Sequence, residues 1–259
     1  MISGTKEWAV AEINCCVGCP HNCRYCYARA AAFKNGLIDS AEQWTRMRCS
    51  DRSVPANAQR YGGQVMFPAA HDIVAENLEL SIAVIDRLLA AGNRVLIVSK
   101  PDVYCIEQLC DQFNHQRSQL LFRFTITARD PAVVSFWEPN APGYEDRLKS
   151  LKLAFARGFE TSVSCEPILD IEDCIQMVEE IEAFVSHSIW LGKMKRIEER
   201  VLVDSDAAAA EVARIVSQQS DARIRLLYES LKGKLLIRWK ESIKLVVGLP
   251  PATESGLDI

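Results

Sequence analysis

Short runs of β-forming residues alternate with amphipathic helical stretches from Gly62 onward. Residues 64–67 predict a strand; Val74, Leu78, Ile82, Ile85 and Leu89 then recur at helical spacing up to Gly92, a good terminator. Residues 94–98 predict the next strand, followed by Ile106, Leu109 and Phe113 on one helix face. A strand over 120–127 leads to a helix marked by Leu148, Leu151 and Phe155, which Gly158 closes. A strand over 161–165 precedes a helix carrying Ile171, Ile175 and Val178 behind the candidate N-cap Asp170. Residues 188–191 predict a strand and Val212, Ile215 and Val216 a helix, with a candidate last strand at 223–228 and a last helix at 239–247.

Strand–helix alternation with single-helix crossovers implies parallel strands covered by helices. With residues 8–14 as the first strand, six strands fall in regular βα units and a seventh is a candidate. The expected fold is α/β, a partial (β/α)6-type TIM barrel with parallel strands and outer helices, short of the full eight-fold barrel. Residues 1–259 read as one domain with a loop insertion at 44–61, a segment without clear periodicity that carries Arg46, Arg48, Arg52 and Arg60 against Asp51.

At 259 residues, 49% of them hydrophobic, the chain can bury one large core. The formal charge of -4 and pI near 5.7 give no bulk support for a nucleic-acid partner, which would need a local basic patch. The N-terminus lacks a basic region followed by an apolar stretch, and no apolar run reaches the roughly 18 residues of a membrane span. The expectation is a cytoplasmic protein with no membrane partner.

Cysteine changes the picture. There are 10, and Cys15, Cys16, Cys19, Cys23 and Cys26 crowd into one short stretch. In a reducing compartment such crowding points to metal binding or catalysis before disulfides. Cys105, Cys110 and Cys174 read as small buried hydrophobes on helices, and Cys15 and Cys16 as the packed end of the first strand.

The stretch Cys19-Pro-His-Asn-Cys23-Arg-Tyr-Cys26 is a C-x3-C-x2-C triad directly after the first strand. A barrel places catalytic groups there, on the loops leaving its strands. Three close thiolates can ligate three irons of a [4Fe–4S] cubane and leave the fourth open. S-adenosyl-L-methionine (SAM) can chelate that iron, and an electron from the cluster can cleave its sulfonium to a 5′-deoxyadenosyl radical that abstracts hydrogen from a substrate. Zinc is the main rival, because Cys16 extends the run to C-x2-C-x3-C-x2-C. Zinc knuckles are usually about a dozen residues or more apart, and three are too few. A closed ferredoxin-type cluster would want a distant Cys followed directly by Pro, which Cys165-Glu166-Pro167 does not provide.

The triad with Tyr25 before its last cysteine resembles the cluster loop of the radical SAM superfamily. Val65-Met66-Phe67-Pro68 running into His71-Asp72, Ser99-Lys100, Phe122-Arg123-Phe124-Thr125, Trp137-Glu138-Pro139-Asn140-Ala141-Pro142 and Ser164-Cys165-Glu166-Pro167 resemble its spore photoproduct lyase-like branch, over about residues 13 to 195. The resemblance implies a lyase-like radical SAM enzyme with Cys19, Cys23 and Cys26 on the cluster and an electron donor such as flavodoxin or ferredoxin. It places Tyr25 on adenine, Pro68, Ala69 and Ala70 at the SAM amino group, Lys100 at the carboxylate, and Thr125 and Thr127 at the ribose. Arg123, Thr125 and Thr127 alternate with Phe122, Phe124 and Ile126, which suits a polar barrel interior.

The chain also departs from that branch, which carries a hydrogen-donating cysteine close after the second strand; residues 67–72 contain none. Cys165 is the substitute donor the sequence offers, with Glu166 and His71 as further catalytic candidates. For His71-Asp72 the simpler reading is a turn residue and a helix N-cap. Lys193, Lys195 and Arg196 would ring the mouth of the barrel. The substrate class the branch suggests is a nucleic acid lesion or nucleotide, DNA included. The alternatives are a peptide or small molecule, or a non-enzymatic iron–sulfur or zinc module.

Overall fold

The computed structural model describes residues 2–50 and 59–258. Its strands are β1 Ala11–Glu12, β2 Cys16–Val17, β3 Arg48–Cys49, β4 Val65–Phe67, β5 Val95–Ser99, β6 Leu120–Thr125, β7 Glu160–Cys165, β8 Ser188–Leu191 and β9 Ile237–Trp239. Between them run α1 Tyr27–Lys34, α2 Ala41–Thr45, α3 Leu78–Ala90, α4 Val103–Gln112, α5 Pro131–Trp137, α6 Tyr144–Ala156, α7 Cys174–Ile181, α8 Ile197–Arg200, α9 Asp206–Gln218 and α10 Asp221–Leu231, with α11 Glu241–Val247 after β9.

Seven strands form one sheet in the order β1-β4-β5-β6-β7-β8-β9, every neighbouring pair parallel. Helices cover its outer face, where Phe67, Val95, Ile97, Phe122, Phe124 and Val163 join the largest apolar cluster. The alternate residues Met66, Leu96, Leu121 and Trp190 point inward and gather around Trp8. Among the described residues β1 and β9 share no ladder, so the barrel is partial and open along that seam.

Both flanks of the chain meet at the seam. Lys240, fully buried just after β9, donates to Gly4 O at 2.6 Å, pairs with Glu7 at 2.9 Å and lies 4.0 Å from the Trp8 ring centre. Gly256 N and Asp258 N bond to Lys6 O and Glu7 O. Asp258 reaches into the barrel to Arg123, whose guanidinium is fully buried and donates to both carboxylate oxygens at 2.8 Å.

Four sequence expectations need correcting. Residues 223–228 are helical: Ile224, Leu227 and Leu231 bury one face of α10, a period no strand has. The seventh strand of the sheet is Ile237–Trp239, so Trp239 ends a strand where the sequence predicts the start of the last helix. Asp170 caps only a turn, accepting from Glu172 N at 3.1 Å, and α7 starts later. The first strand is also shorter than 8–14, because residues 4–7 form a 3-10 turn. In the expected 44–61 insertion, Trp44 is buried and β3 pairs antiparallel with β2, where Cys16 and Cys49 form a disulfide; residues 51–58 lie outside the described residues. No helix among the described residues is long and apolar enough to cross a membrane.

Candidate metal and cofactor site

The cysteine loop is shaped by its own residues and held from two sides. Gly18 has φ +101, and a Cβ there would lie 2.6 Å from Trp44 O, so the loop passes the end of α2 only with glycine. Arg29, on the first turn of α1, donates to Asn22 Oδ1 at 2.6 Å and Arg24 O at 2.9 Å, folding the loop on itself. Cys26 caps the same helix through its sulfur. On the far side, segment 136–140 runs along the loop. Trp137 O accepts from Arg24 N at 2.9 Å, Phe136 O accepts from Arg24 Nε at 3.0 Å, and Asn140 Nδ2 donates to Pro20 O at 2.9 Å.

Two buried ionic groups brace this arrangement. Glu138 accepts from the Tyr25 hydroxyl and from Thr127 Oγ1 at 3.1 Å, and pairs with Arg147; both charged side chains are nearly inaccessible to solvent. Burial opposes the Glu138 carboxylate, but Arg147 and Lys100 outweigh it and hold the carboxyl below its usual range. Asp72 accepts from Lys100 N at 2.7 Å, Ser99 Oγ at 3.1 Å and His21 Nδ1 at 2.8 Å, and its carboxylate lies 3.6 Å from Lys100 Nζ. Burial again works against the charge, and Lys100 and His21 prevail, keeping Asp72 well below the usual carboxylate range. Lys100 Nζ also sits 5.8 Å from the Tyr25 ring centre.

These groups wall a cavity of roughly 480 Å³ at the C-terminal ends of the strands. Cys19, Cys23 and Cys26 all line it, as do Tyr25, Pro68, Ala69, Ala70, Lys100, Thr125 and Glu166. Thr127 lies one step deeper, bound to Glu138. His71 lines the cavity too, but Nδ1 donates to Asp72 O at 3.1 Å and Nε2 accepts from Cys15 N and Cys16 N at 3.2 and 3.3 Å. Burial pulls its pKa below the ordinary histidine value, which suits a neutral ring bracing backbone.

Cys165 is the one candidate the structure sets apart. Ser164 and Glu166 face inward, so strand alternation turns Cys165 outward into the core beneath the helices, where it has no solvent exposure. Burial, with Cys174 beside it, raises its thiol well above the usual range. Its sulfur lies outside the cavity lining.

Several residues of the site were missed from the sequence. Asn14 Oδ1 accepts from both Ala69 N at 2.8 Å and Ala70 N at 2.6 Å, fixing the loop after β4. Tyr27, directly after the last cysteine, lines the cavity and bonds Ala69 O. Arg147 gave no signal beyond its place on an otherwise ordinary helix; its role depends on a contact with Glu138 nine residues away.

The donor set suits an iron–sulfur cluster. Burial pushes the Cys23 thiol up to about 12 and the Cys19 thiol well above its usual value, so thiolates at these two positions need the positive charge of a bound metal. Space for a ligand adjoins them on the cavity side.

No protein-family model and no curated protein matches the chain. Solved structures do. A cysteine-to-alanine variant of spore photoproduct lyase superposes with TM-score 0.52 at 17% identity, covering 88% of this chain and 75% of that one. A tyrosine-to-phenylalanine variant gives 0.50 at 16% identity, covering 80% and 73%. SuiB from Streptococcus suis, solved with S-adenosylmethionine bound, gives 0.50 at 10% identity, covering 90% of this chain and 50% of that one. Both are radical SAM enzymes, and at these identities the likeness is one of fold. The chain shares the fold of these enzymes, with its C-x3-C-x2-C loop opening onto the cavity at the strand ends.

Proposed function

We propose that the chain is a radical SAM enzyme in which Cys19, Cys23 and Cys26 hold a [4Fe–4S] cluster and the adjoining cavity takes SAM. The observation that carries this reading is that all three cysteines line one cavity at the C-terminal ends of a parallel sheet. When bound, the cluster and SAM supply reductive cleavage of a sulfonium C–S bond and hence a 5′-deoxyadenosyl radical for hydrogen abstraction. The chain's residues bind and orient. The backbone around Pro68, Ala69 and Ala70, held by Asn14, would meet the amino group; Tyr25, fixed by Glu138, would take adenine; Thr125 would offer a hydroxyl to the ribose. Lys100 contributes positive charge at the carboxylate end, in balance with Asp72. Glu166, which pairs with Lys240 at 3.3 Å, faces the substrate side.

The substrate we infer is an anionic one, a nucleic acid or nucleotide. Lys6, Lys193, Lys195 and Arg200 line the cavity on an otherwise acidic protein, a local patch of the kind such a ligand needs. Lys193 pairs with the exposed Asp221, where such a pair is weak and exchanges readily with a ligand, while Lys195 is held by Glu241.

The test is anaerobic. The reconstituted, reduced protein should convert SAM to 5′-deoxyadenosine, and Cys23→Ala should abolish that conversion. A reconstituted protein that binds iron but leaves SAM intact would sink the reading. Binding to DNA that weakens steeply with salt supports the substrate class, and no binding at low salt counts against it.

A further inference from the structure

Behind the cluster loop, three metal-ligating side chains converge, Cys15, Cys16 and His71, and a fourth, Cys49, is tied to the group through Cys16. Cys15 and Cys16 follow β1, Cys49 ends β3 and His71 follows β4. Cys15 Sγ lies 3.7 Å from Cys16 Sγ and 3.8 Å from His71 Nε2, and Cys16 is disulfide-bonded to Cys49. Sulfurs sharing one tetrahedral zinc lie about 3.8 Å apart, given Zn–S bonds of about 2.3 Å. His71 already has the orientation of a ligand. Its Nδ1 donates to Asp72 O at 3.1 Å, which leaves the Nε2 lone pair toward the two cysteines. A backbone carbonyl on the remote nitrogen is the usual support of a zinc-bound imidazole. Cys15, Cys16 and His71 are buried, so water cannot complete a weaker site around them.

We propose that, once the Cys16–Cys49 bond is reduced, Cys15, Cys16, Cys49 and His71 hold one structural zinc ion. Reduction by a dithiol turns the S–S bond into two thiols while the dithiol becomes a disulfide. Zinc then displaces one proton from each of the three thiols and takes the neutral imidazole as fourth ligand, a Cys3His set. The long contacts of Nε2 with Cys15 N and Cys16 N, 3.2 and 3.3 Å, give way to the metal bond. A reducing compartment does not preserve a structural disulfide, and zinc would tie the same strands together there. The ion joins the start of β2, the end of β3 and the loop after β4, the three segments that fix where the cysteine triad begins.

The full-length chain carrying Cys19→Ala, Cys23→Ala and Cys26→Ala removes the competing thiols and separates this site from the cluster. Produced anaerobically with a phosphine reductant, it should retain about one zinc per chain by elemental analysis. Exchange with Co²⁺ should give the visible bands of a tetrahedral, sulfur-rich site. Adding His71→Ala or Cys49→Ser should lower the zinc content to about a tenth or less, with His71→Cys restoring it. Cys49 is exposed, so Cys49→Ser should leave the melting curve of the metal-free protein unchanged. The proposal is overturned by zinc far below one per chain. It is equally overturned by zinc content indifferent to His71→Ala and Cys49→Ser, or by a Cys16–Cys49 disulfide persisting in the reduced protein.

Discussion

Glu138 and Arg147 illustrate how much one residue can carry. Removing one member of a buried ion pair leaves the other charged and desolvated, at a cost of about 3–5 kcal/mol. Glu138→Gln should therefore lower the urea unfolding midpoint strongly. It also replaces the charged acceptor of the Tyr25 hydroxyl with a weaker amide oxygen, so iron retention after reconstitution should fall with it. The double variant Glu138→Gln, Arg147→Met should recover much of the stability without restoring Tyr25, and measuring both properties separates the two effects. Cys165→Ala should behave differently. It removes an outward-facing core sulfur, costing about 1–2 kcal/mol, and should leave the products of SAM cleavage unchanged in chromatographic analysis. A changed product distribution would return Cys165 to the mechanism. Two histidines, His71 in the interior and the half-buried His187, predict a pH dependence. Burial lowers the pKa of both His71 and His187, so the folded chain binds fewer protons than the unfolded one below about pH 6.5. Their contribution to stability is complete above that value and is lost as pH falls through the depressed pKa. Unfolding midpoints in a pH series should show the decline, and His187→Gln should flatten part of it.

At the scale of elements, the site depends on short loops clamped by side chains from distant segments. Asn14 alone holds two backbone N–H groups of the loop after β4. Asn14→Ala leaves those donors without a partner, at about 1–3 kcal/mol, and should raise the KM for SAM more than it lowers kcat. How much of this was legible follows from periodicity. Strands such as Val95–Ser99 and Leu120–Thr125 are buried on both faces and stand out as apolar runs. The C-x3-C-x2-C spacing marks the loop as a candidate metal site without any fold. Residues 223–228 misled because Ile224 and Leu227 share a short stretch with β-compatible neighbours, and only Leu231 completes the helical period. The backing of the cysteine loop by Trp137-Glu138-Pro139-Asn140 was visible as a family resemblance but not as a clamp. Its bonds join residues more than a hundred positions apart, a distance no local pattern encodes. The inward or outward sense of Cys165 was equally hidden until the register of β7 fixed it.

In the whole molecule, the unpaired seam between β1 and β9 is held by side chains from both flanks of the chain. Arg123 is fully buried and its carboxylate partner is Asp258, so Asp258→Ala should cost about 3–5 kcal/mol, readable as a lower urea midpoint. Arg123→Met in the same background should restore part of that loss. The cavity above this plug has a consequence for any large ligand. Roughly 480 Å³ is the scale of one drug-sized molecule, and SAM would claim most of it. A double helix or a folded polypeptide cannot follow it in. A polymeric substrate would have to surrender a single unit to the chamber, a base swung out of its stack or a side chain drawn from its backbone, while the remainder stays outside against the lysines of the rim.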